Sequence, residues 1–188
     1  MHLLGVFAHP DDETYMAGGS MATYTDEGIG ATLLTFTRGE AGAILEGTAT
    51  RETLGDVREA ELRKAAAIIG CSDVRVVGTP DGGTTNTEDG IGLIVDLLRE
   101  VRPEVVVTME PLGVTSHPDH IAVCDMTTAA VDRVRDEAIV KRLYYGALPQ
   151  PQLDEWIRLA EQAGVNAPFD PSDPLAPRGA DPATIACV

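Results

Sequence analysis

Two copies of the tripeptide His-Pro-Asp carry most of the chemistry that this sequence can support. One lies in "VFAHPDDETYMAG", residues 6–18, and the other in "VTSHPDHIAV", residues 114–123. The chain has 188 residues with four histidines, 12 prolines and 16 aspartates, so a given histidine precedes Pro-Asp by chance with a probability of about 0.005. Two such histidines out of four are far above that background. Imidazoles and a carboxylate are a common ligand set for a catalytic metal, so the two segments predict a metal site.

The spacing within the two segments predicts which side chains meet. Proline is favoured in the first turn of a helix, because its missing N–H is unpaired there, so each segment is expected at a helix start. Residues three positions apart lie on the same helix face, which pairs His9 with Asp12 and His117 with His120. We predict that His9, Asp12 and His120 bind the metal. This leaves Asp11 and His117 beside the metal for proton transfer.

Each of these residues also has a simpler explanation. Acidic residues at a helix N-terminus complement the helix dipole, which would account for Asp11, Asp12 and Glu13. A single histidine at a helix start is commonly a cap or a surface residue. These explanations do not account for two matching segments at the ends of strands, so a metal site is the favoured interpretation. Zinc is the expected metal, and iron(II) is left open.

The elements that must position these residues alternate along the chain. Short apolar runs predict strands at Leu3–Ala8, Ala31–Thr37, Val74–Val77, Val105–Met109 and Leu143–Gly146. Helical patterns cover residues 13–27, 51–69, 89–101, 118–135 and 151–163. Strands without period-two alternation, each followed by a helix, are typical of a parallel sheet covered on both faces. We therefore predict a doubly wound, Rossmann-like α/β fold with the strand order 3-2-1-4-5.

This strand order brings the two histidine segments together. Ligands of such folds bind beyond the carboxyl ends of the strands, at the point where the strand order reverses. His9 directly follows the first strand, and His117 lies a short loop beyond the fourth, which is its neighbour in the predicted order. The loops 37–50 and 78–90 leave the same edge and are expected to form the walls of the crevice.

The chain changes character after residue 148. Seven of the twelve prolines lie between Pro149 and Pro182, which favours irregular structure, and we expect residues 149–188 to form a variable cap over the crevice. The closing segment "ATIACV" is typical of a β-strand with no following turn, which suggests that the natural polypeptide continues beyond Val188. Residues 1–188 are otherwise expected to form a single domain.

Composition excludes several classes of partner. The net charge of −16 opposes binding to nucleic acid and to anionic membrane surfaces. No apolar run approaches the roughly 20 residues of a transmembrane helix, and the N-terminus lacks the features of a signal peptide. The three cysteines are widely spaced and are expected to be reduced, which predicts a cytoplasmic protein. The sequence leaves the oligomeric state open, and a homo-oligomer is compatible with it.

The paired motifs "AHPDDE" (8–13) and "HPDH" (117–120) resemble those of the PIG-L/LmbE-like zinc-dependent N-acetylglucosamine deacetylases. The resemblance covers roughly residues 2 to 147 and includes "TRGEAG" (37–42), "REAELRKAAAIIG" (58–70) and "TPDGG" (79–83). The paired motifs are highly specific, and the intervening ones are supportive. The family removes acetyl groups from N-acetylglucosamine units of glycolipids, of thiol-cofactor precursors and of related metabolites.

The resemblance assigns roles to individual residues. By the family's pattern His9, Asp12 and His120 are zinc ligands and Asp11 is the general base. His117 is the electrophile or the general acid.

Three further positions follow from the same resemblance. Asp119 is implied to steady the imidazole of His117, and Arg58 and Asp81 match positions that contact the sugar in family members. The chain departs from the pattern at Thr115, where several sugar deacetylases have tyrosine.

The leading hypothesis is therefore a metal-dependent hydrolase that removes an acetyl group from a small-molecule N-acetylglucosamine-type conjugate. Asp11 takes a proton from the attacking water and His117 acts as the acid. One alternative is an amidase that cleaves a larger acyl group from a glucosaminyl conjugate, as mycothiol-conjugate amidases of this family do. A second is a metal- or sugar-binding protein without hydrolysis. A nucleotide-binding domain is disfavoured, because "AHPDDE" stands where a G-x-G-x-x-G turn would follow the first strand.

Overall fold

A five-stranded parallel sheet forms the centre of the molecule. The structure is a computed structural model, and it describes residues 1–165 and 179–181. The strands are β1 (His2–Phe7), β2 (Gly30–Thr35), β3 (Asp73–Val76), β4 (Val105–Met109) and β5 (Arg142–Gly146). Their order in the sheet is β3-β2-β1-β4-β5, and every pairing is parallel. The predicted doubly wound fold and its strand order are confirmed.

Among the described residues, six helical segments accompany the strands: five lie between successive strands and the last follows β5. They are α1 (Asp12–Asp26), α2 (Leu54–Ile69), α3 (Glu88–Val101), α4 (Gly113–Ser116), α5 (Pro118–Arg133) and α6 (Gln150–Ala163). A short 3-10 helix also spans Arg135–Glu137. The five predicted helices correspond to α1, α2, α3, α5 and α6, whereas the sequence patterns did not predict α4 or the 3-10 helix.

The sheet is apolar on both faces because each face is covered by helices. On one face, Leu3 and Phe7 of β1 share a buried cluster with residues of α1 and α2, such as Met21 and Ala66. On the opposite face, residues of β1, α3 and α5 form a second buried cluster, which includes Leu4, Val6, Ile94, Leu98, Val123 and Met126. Alternate side chains of a strand point to opposite faces, so β1 supplies the centre of both clusters.

The ends of the helices follow local backbone preferences. Pro118 opens α5, where its missing N–H leaves no partner unpaired. Gly70 closes α2 in the left-handed region, with φ 88. If Pro10 were the first helical residue, α1 would start two residues earlier than it does. The helix begins at Asp12 instead, because Asp11 has φ 106, which is outside the right-handed helical region. This offset matters for the site described below.

The tail is described only in part. α6 confirms a helix close to the predicted range 151–163, and Pro149 pairs with Ala180 in an isolated bridge. The predicted strand "ATIACV" and half of the predicted cap lie outside the described residues, so the cap and the single-domain boundaries stay predictions. Cys71 and Cys124 are free thiols. Among the described residues, no helix combines the length and the apolar character that crossing a membrane requires.

Candidate metal centre

The two histidine segments meet at the carboxyl ends of β1 and β4. His9 lies between β1 and α1, while His117 caps α5 and His120 lies in its first turn. The ring centroid of His9 is 4.7 Å from that of His117 and 5.0 Å from that of His120. Residues separated by 111 positions in the sequence are therefore in contact. β1 pairs directly with β4, which places the ends of these two strands side by side.

Donor atoms of three side chains converge in this crevice. His9 Nδ1 lies 3.0 Å from His120 Nε2. The Asp12 carboxylate places one oxygen 3.5 Å from His9 Nδ1 and the other 3.5 Å from His120 Nε2. Ligand atoms at about 2.0–2.1 Å from a tetrahedral zinc lie roughly 3.3–3.4 Å apart. The two nitrogens are slightly closer than this, and each nitrogen-to-carboxylate separation is slightly longer, with a different Asp12 oxygen facing each nitrogen. The three side chains are 9–11% exposed, which leaves a narrow opening for solvent or substrate.

The far nitrogen of each of these two histidines has its own partner. His120 Nδ1 lies 2.9 Å from the carbonyl oxygen of Gly113 and so donates its N–H to it. His9 Nε2 lies 3.1 Å from a carboxylate oxygen of Asp81 and 3.2 Å from one of Asp119. Partners of this kind fix the tautomer of a metal-binding histidine and orient its ring. In the neutral rings these partners place the protons on His9 Nε2 and His120 Nδ1, so His9 Nδ1 and His120 Nε2 would be available to a metal.

Two other groups of side chains are close enough to share a metal ion. Ligand atoms of His9, His117 and His120 lie within 4.8 Å of one another, as do those of His9, Asp81 and Asp119. The second group meets at the same His9 nitrogen that donates to both carboxylates, so hydrogen bonding already accounts for it. The first group includes the ring of His117, whose Nδ1 accepts the backbone N–H of Asp119 at 3.2 Å.

The hydrogen bond to Nδ1 determines what His117 can do. An imidazole nitrogen that accepts an N–H carries no proton, so the neutral ring holds its proton on Nε2. Burial and the charges of His9 and His120 lower the pKa of His117, which also favours the neutral ring. The pKa of His9 is raised instead: burial opposes its charge, but the hydrogen bond to Asp12 and the carboxylates of Asp81 and Asp119 outweigh burial.

Asp11 occupies the crevice in a rare backbone conformation. Its φ of 106 lies in a region that residues other than glycine seldom adopt. The carboxylate of Glu13, which is 1% exposed, accepts the backbone N–H of Asp11 at 3.0 Å. Arg58 donates to an Asp11 carboxylate oxygen at 3.0 Å and also to the carbonyl oxygen of Pro10. These contacts fix the position of the Asp11 side chain, 56% of which is exposed.

The electrostatic surroundings of Asp11 disfavour its ionised form. Burial and the neighbouring Asp12 charge raise the pKa of Asp11 to about 6, although Arg58 opposes the shift. A carboxylate with such a pKa can both accept and release a proton near neutral pH.

The remaining predicted residues have contacts that the sequence did not indicate. The Asp119 carboxylate, which is fully buried, faces His9 and accepts the backbone N–H groups of Gly82 and Thr84 at 2.8 and 3.1 Å. The backbone N–H of Asp119 donates to His117 Nδ1 and the negative charge of Asp119 favours the protonated form of that ring, and the expected steadying of the His117 imidazole stays a prediction. Asp81 likewise supports His9 and accepts the backbone N–H of Ala41 at 2.9 Å.

Sequence reasoning missed three contributors to the site. Glu13 belongs to a predicted motif, but its contact with the backbone N–H of Asp11 depends on the positive φ of Asp11, which the sequence does not indicate. Glu110 and Gly113 lie between β4 and His117, outside both motifs. Each acts through the backbone, and backbone contacts leave no pattern of residue types that a motif search could find.

Comparisons with known proteins agree with this geometry. The family model described as GlcNAc-PI de-N-acetylase (PIG-L) matches residues 4–131. A 1D-myo-inositol 2-acetamido-2-deoxy-alpha-D-glucopyranoside deacetylase of Acidothermus cellulolyticus is 36% identical, over 89% of this chain and 65% of the relative. This chain thus spans about two thirds of the length of that relative.

Solved structures support the fold at lower identity. The N,N'-diacetylchitobiose deacetylase of Pyrococcus horikoshii has a TM-score of 0.63 and 22% identity, covering 91% of this chain and 58% of that protein. GalB, the 4-carboxy-2-hydroxymuconate hydratase of Pseudomonas putida, has a TM-score of 0.67 and 19% identity, covering 90% and 91%. The same fold thus serves a deacetylase and a hydratase, so it does not decide the reaction. The sequence matches do decide the family: this chain belongs to the PIG-L family of GlcNAc-PI de-N-acetylases.

Proposed function

We propose that this chain is a zinc-dependent hydrolase that removes the acetyl group from an N-acetylglucosamine-type conjugate. The observation that carries the proposal is the convergence of His9 Nδ1, His120 Nε2 and the Asp12 carboxylate at 3.0–3.5 Å. Two imidazoles and one carboxylate are typical of a catalytic zinc with an open coordination position. The relatives named as deacetylases of a glucosaminyl inositol support the substrate class.

His9, Asp12 and His120 would hold the metal. When bound, a divalent metal supplies Lewis acidity, which lowers the pKa of a water and polarises a carbonyl oxygen. Asp81 and Asp119 accept the other N–H of His9, so they orient the ring and increase its basicity as a ligand. The same donor set also suits iron(II), so zinc and iron(II) must be compared directly in the assay.

Asp11 serves as the base in this proposal. Its carboxylate accepts a proton from water as the water oxygen forms a bond to the amide carbon. The C–N bond then breaks, and the proton held by Asp11 passes to the departing nitrogen, which yields acetate and a free amine. Arg58 keeps the Asp11 side chain in place through its hydrogen bond of 3.0 Å. General-base groups of this kind contribute about 10²- to 10⁴-fold to the rate.

His117 serves as the electrophile. Its Nδ1 accepts the Asp119 N–H, so the proton on Nε2 can be donated as a hydrogen bond to the carbonyl oxygen, on which negative charge develops. This bond favours the electrophile role over the acid role that the sequence also allowed, because a neutral imidazole is a poor source of a proton for the amine.

The sugar is expected to bind beside Asp11. A cavity of about 230 Å³ opens there and is lined by residues that include Asp11, Tyr15, Arg58 and Glu61. The sugar contacts predicted for Arg58 are consistent with this cavity. Asp81 faces His9 and does not line this cavity, so the geometry does not support its predicted contact with the sugar. That contact stays a prediction.

A substrate panel tests the proposed function. The chain is stripped with a chelator, reloaded with zinc or with iron(II), and assayed for amine release from N-acetylglucosaminyl inositol, N-acetylglucosamine, diacetylchitobiose and conjugates that carry longer acyl groups. We expect acetate and amine in equal amounts from an acetylated conjugate, released about 10²- to 10⁴-fold more slowly by the Asp11→Asn variant. Release of only the longer acyl groups would indicate the amidase alternative. Metal-loaded protein that turns over no sugar amide would contradict the proposal.

A further inference from the structure

The segment between β4 and His117 has an unusual backbone. Gly113, Val114 and Ser116 of α4 have φ values of 73, 56 and 57, so this single turn is left-handed at three of its four residues. Positive φ is costly for a β-branched residue such as valine, because its Cβ crowds the backbone. Such a conformation persists only where surrounding contacts enforce it, and it is found preferentially at functional sites.

The side chain of Glu110 supplies contacts that enforce this turn. One carboxylate oxygen accepts the backbone N–H of Val114 at 2.6 Å, and the other accepts that of Leu112 at 2.8 Å. The main-chain oxygen of Glu110 also accepts the N–H of Gly113 at 2.8 Å. Glu110 is only 9% exposed, so these hydrogen bonds are shielded from competition with water.

This left-handed turn orients His120, a predicted metal ligand. The carbonyl oxygen of Gly113 lies 2.9 Å from His120 Nδ1, on the ring edge opposite the converging donors. A side chain at Gly113 would lie 2.9 Å from Ile121 and 3.3 Å from His120 Cβ, so the turn packs directly against the start of α5. The position of this carbonyl therefore depends on the backbone that Glu110 holds.

We propose that Glu110 is a positioning residue for the metal centre: it holds the left-handed turn so that the Gly113 carbonyl keeps His120 Nε2 free for the metal. This inference rests on the proposed function, in which His120 is a ligand. Glu110 does not itself face the three converging donors, because both of its carboxylate oxygens are engaged with backbone N–H groups of the turn.

Substitutions at Glu110 separate this role from a general contribution to stability. Glu110→Ala removes the acceptor of the buried Val114 N–H and of the partly buried Leu112 N–H, whereas Glu110→Gln retains one acceptor oxygen. The matched control is Thr108→Val, two residues earlier on β4, where a fully buried hydroxyl donates to the Val6 carbonyl oxygen at 2.8 Å. That control removes a buried hydrogen bond from the same strand without changing the turn.

The measurement is the dissociation constant for zinc, obtained by competition with a chelator, together with kcat at saturating zinc and the midpoint of thermal unfolding. Loss of such a supporting contact typically weakens metal affinity by about 10- to 100-fold. We expect a weakening of that size for Glu110→Ala, a smaller one for Glu110→Gln, and kcat that approaches the wild-type value once zinc is saturating. Thr108→Val should lower the midpoint and leave zinc affinity unchanged.

Two results would overturn the inference. One is a folded Glu110 variant with wild-type zinc affinity; if Glu110→Ala does not fold, Glu110→Gln decides the matter alone. The other is an equal loss of affinity in Thr108→Val, which would indicate a purely structural effect. If the wild-type chain itself bound no metal, the proposed function and this inference would both fail. If wild type and the Glu110 variants bound zinc equally well, only the inference would fail.

Discussion

Two adjacent aspartates show how one residue type acquires two roles. The Asp12 carboxylate is 11% exposed, accepts the N–H of His9 at 2.7 Å and faces both His9 and His120. The Asp11 carboxylate is 56% exposed and pairs with Arg58. Sequence spacing predicted that Asp12 and not Asp11 would face His9. The structural reason differs in part from the helical spacing used for that prediction. The helix begins at Asp12 itself, and the φ of 106 at Asp11 gives the Asp11 carboxylate a different direction from that of Asp12.

The two aspartates should therefore respond differently to substitution. Asp12→Ala removes the carboxylate from the converging donors, and we expect a strong loss of metal affinity. Asp11→Asn keeps the shape of the side chain and should retain the metal, while kcat falls by about 10²- to 10⁴-fold because the base is lost. Metal content by elemental analysis and single-substrate kinetics check both expectations. Metal loss in Asp11→Asn with metal retention in Asp12→Ala would reverse the assignment.

Asp11 also makes the metal-free protein sensitive to pH. Its pKa rises from 3.8 to about 6 in the folded chain, so the folded state binds the proton more tightly than the unfolded state. The stability that this proton contributes is fully present below about pH 4 and is lost as the pH rises towards 6. The amide side chain of Asp11→Asn cannot ionise, so the variant does not lose this stability. As the pH rises from about 4 to about 6, the thermal midpoint of the variant minus that of wild type should therefore increase. A difference that stays constant from pH 4 to pH 7 would contradict this expectation.

At the scale of elements, the sequence indicates regular structure well and irregular structure poorly. Alternation of apolar runs with helical patterns was sufficient for the five strands, their order and the five longer helices. The left-handed turn α4 could not be predicted, because "PLGVTS" contains one glycine followed by a β-branched valine, which disfavours positive φ. Its conformation comes from a local hydrogen bond to the Glu110 side chain and from the packing of Val114, which is 7% exposed, and neither leaves a pattern of residue types in the sequence.

Not every positive φ in the chain is tied to the site. Ala138 has φ 51 after the 3-10 helix Arg135–Glu137 and is exposed, far from the histidine segments in sequence. Glycine adopts this conformation without the Cβ penalty, so Ala138→Gly should stabilise the protein by about 0.5–1 kcal/mol. Ala67→Gly is the matched control: Ala67 is exposed inside α2, and glycine there should cost about 1 kcal/mol. Denaturant unfolding of both variants measures the two changes, and equal effects at the two positions would refute the argument.

At the scale of the whole molecule, the site exists because the topology places β1 beside β4. Strand order could be predicted from the alternation of elements, and with it the meeting of His9 and His120. The partners of the far histidine nitrogens could not, since Asp81 and Gly113 come from connecting segments whose paths no sequence pattern specifies. The cytoplasmic location, the cap and a homo-oligomeric state stay predictions.

A bound metal should stabilise the whole fold, because its ligands come from two distant parts of the chain. A ligand at 100 times its dissociation constant adds about 2.7 kcal/mol, which corresponds to a rise of roughly 5–10 °C in the unfolding midpoint of a domain of this size. We expect this rise when zinc is added to chelator-treated wild type, and none in Asp12→Ala. Scanning calorimetry with and without zinc measures it. An equal rise in both proteins would place the metal elsewhere.

The pairing of β1 with β4 has a consequence for how the protein is made. Leu3 pairs with Val105, so closing this part of the sheet requires the chain to form a loop of about a hundred residues, which is slow and entropically costly. His9 and Asp12 leave the ribosome long before His120, and at that stage the nascent chain holds only two of the three proposed ligands. Metal capture must then wait until most of the polypeptide has been synthesised and the central strands have paired. We therefore expect incorporation of a metal to follow the pairing of the central strands and to report that folding is complete.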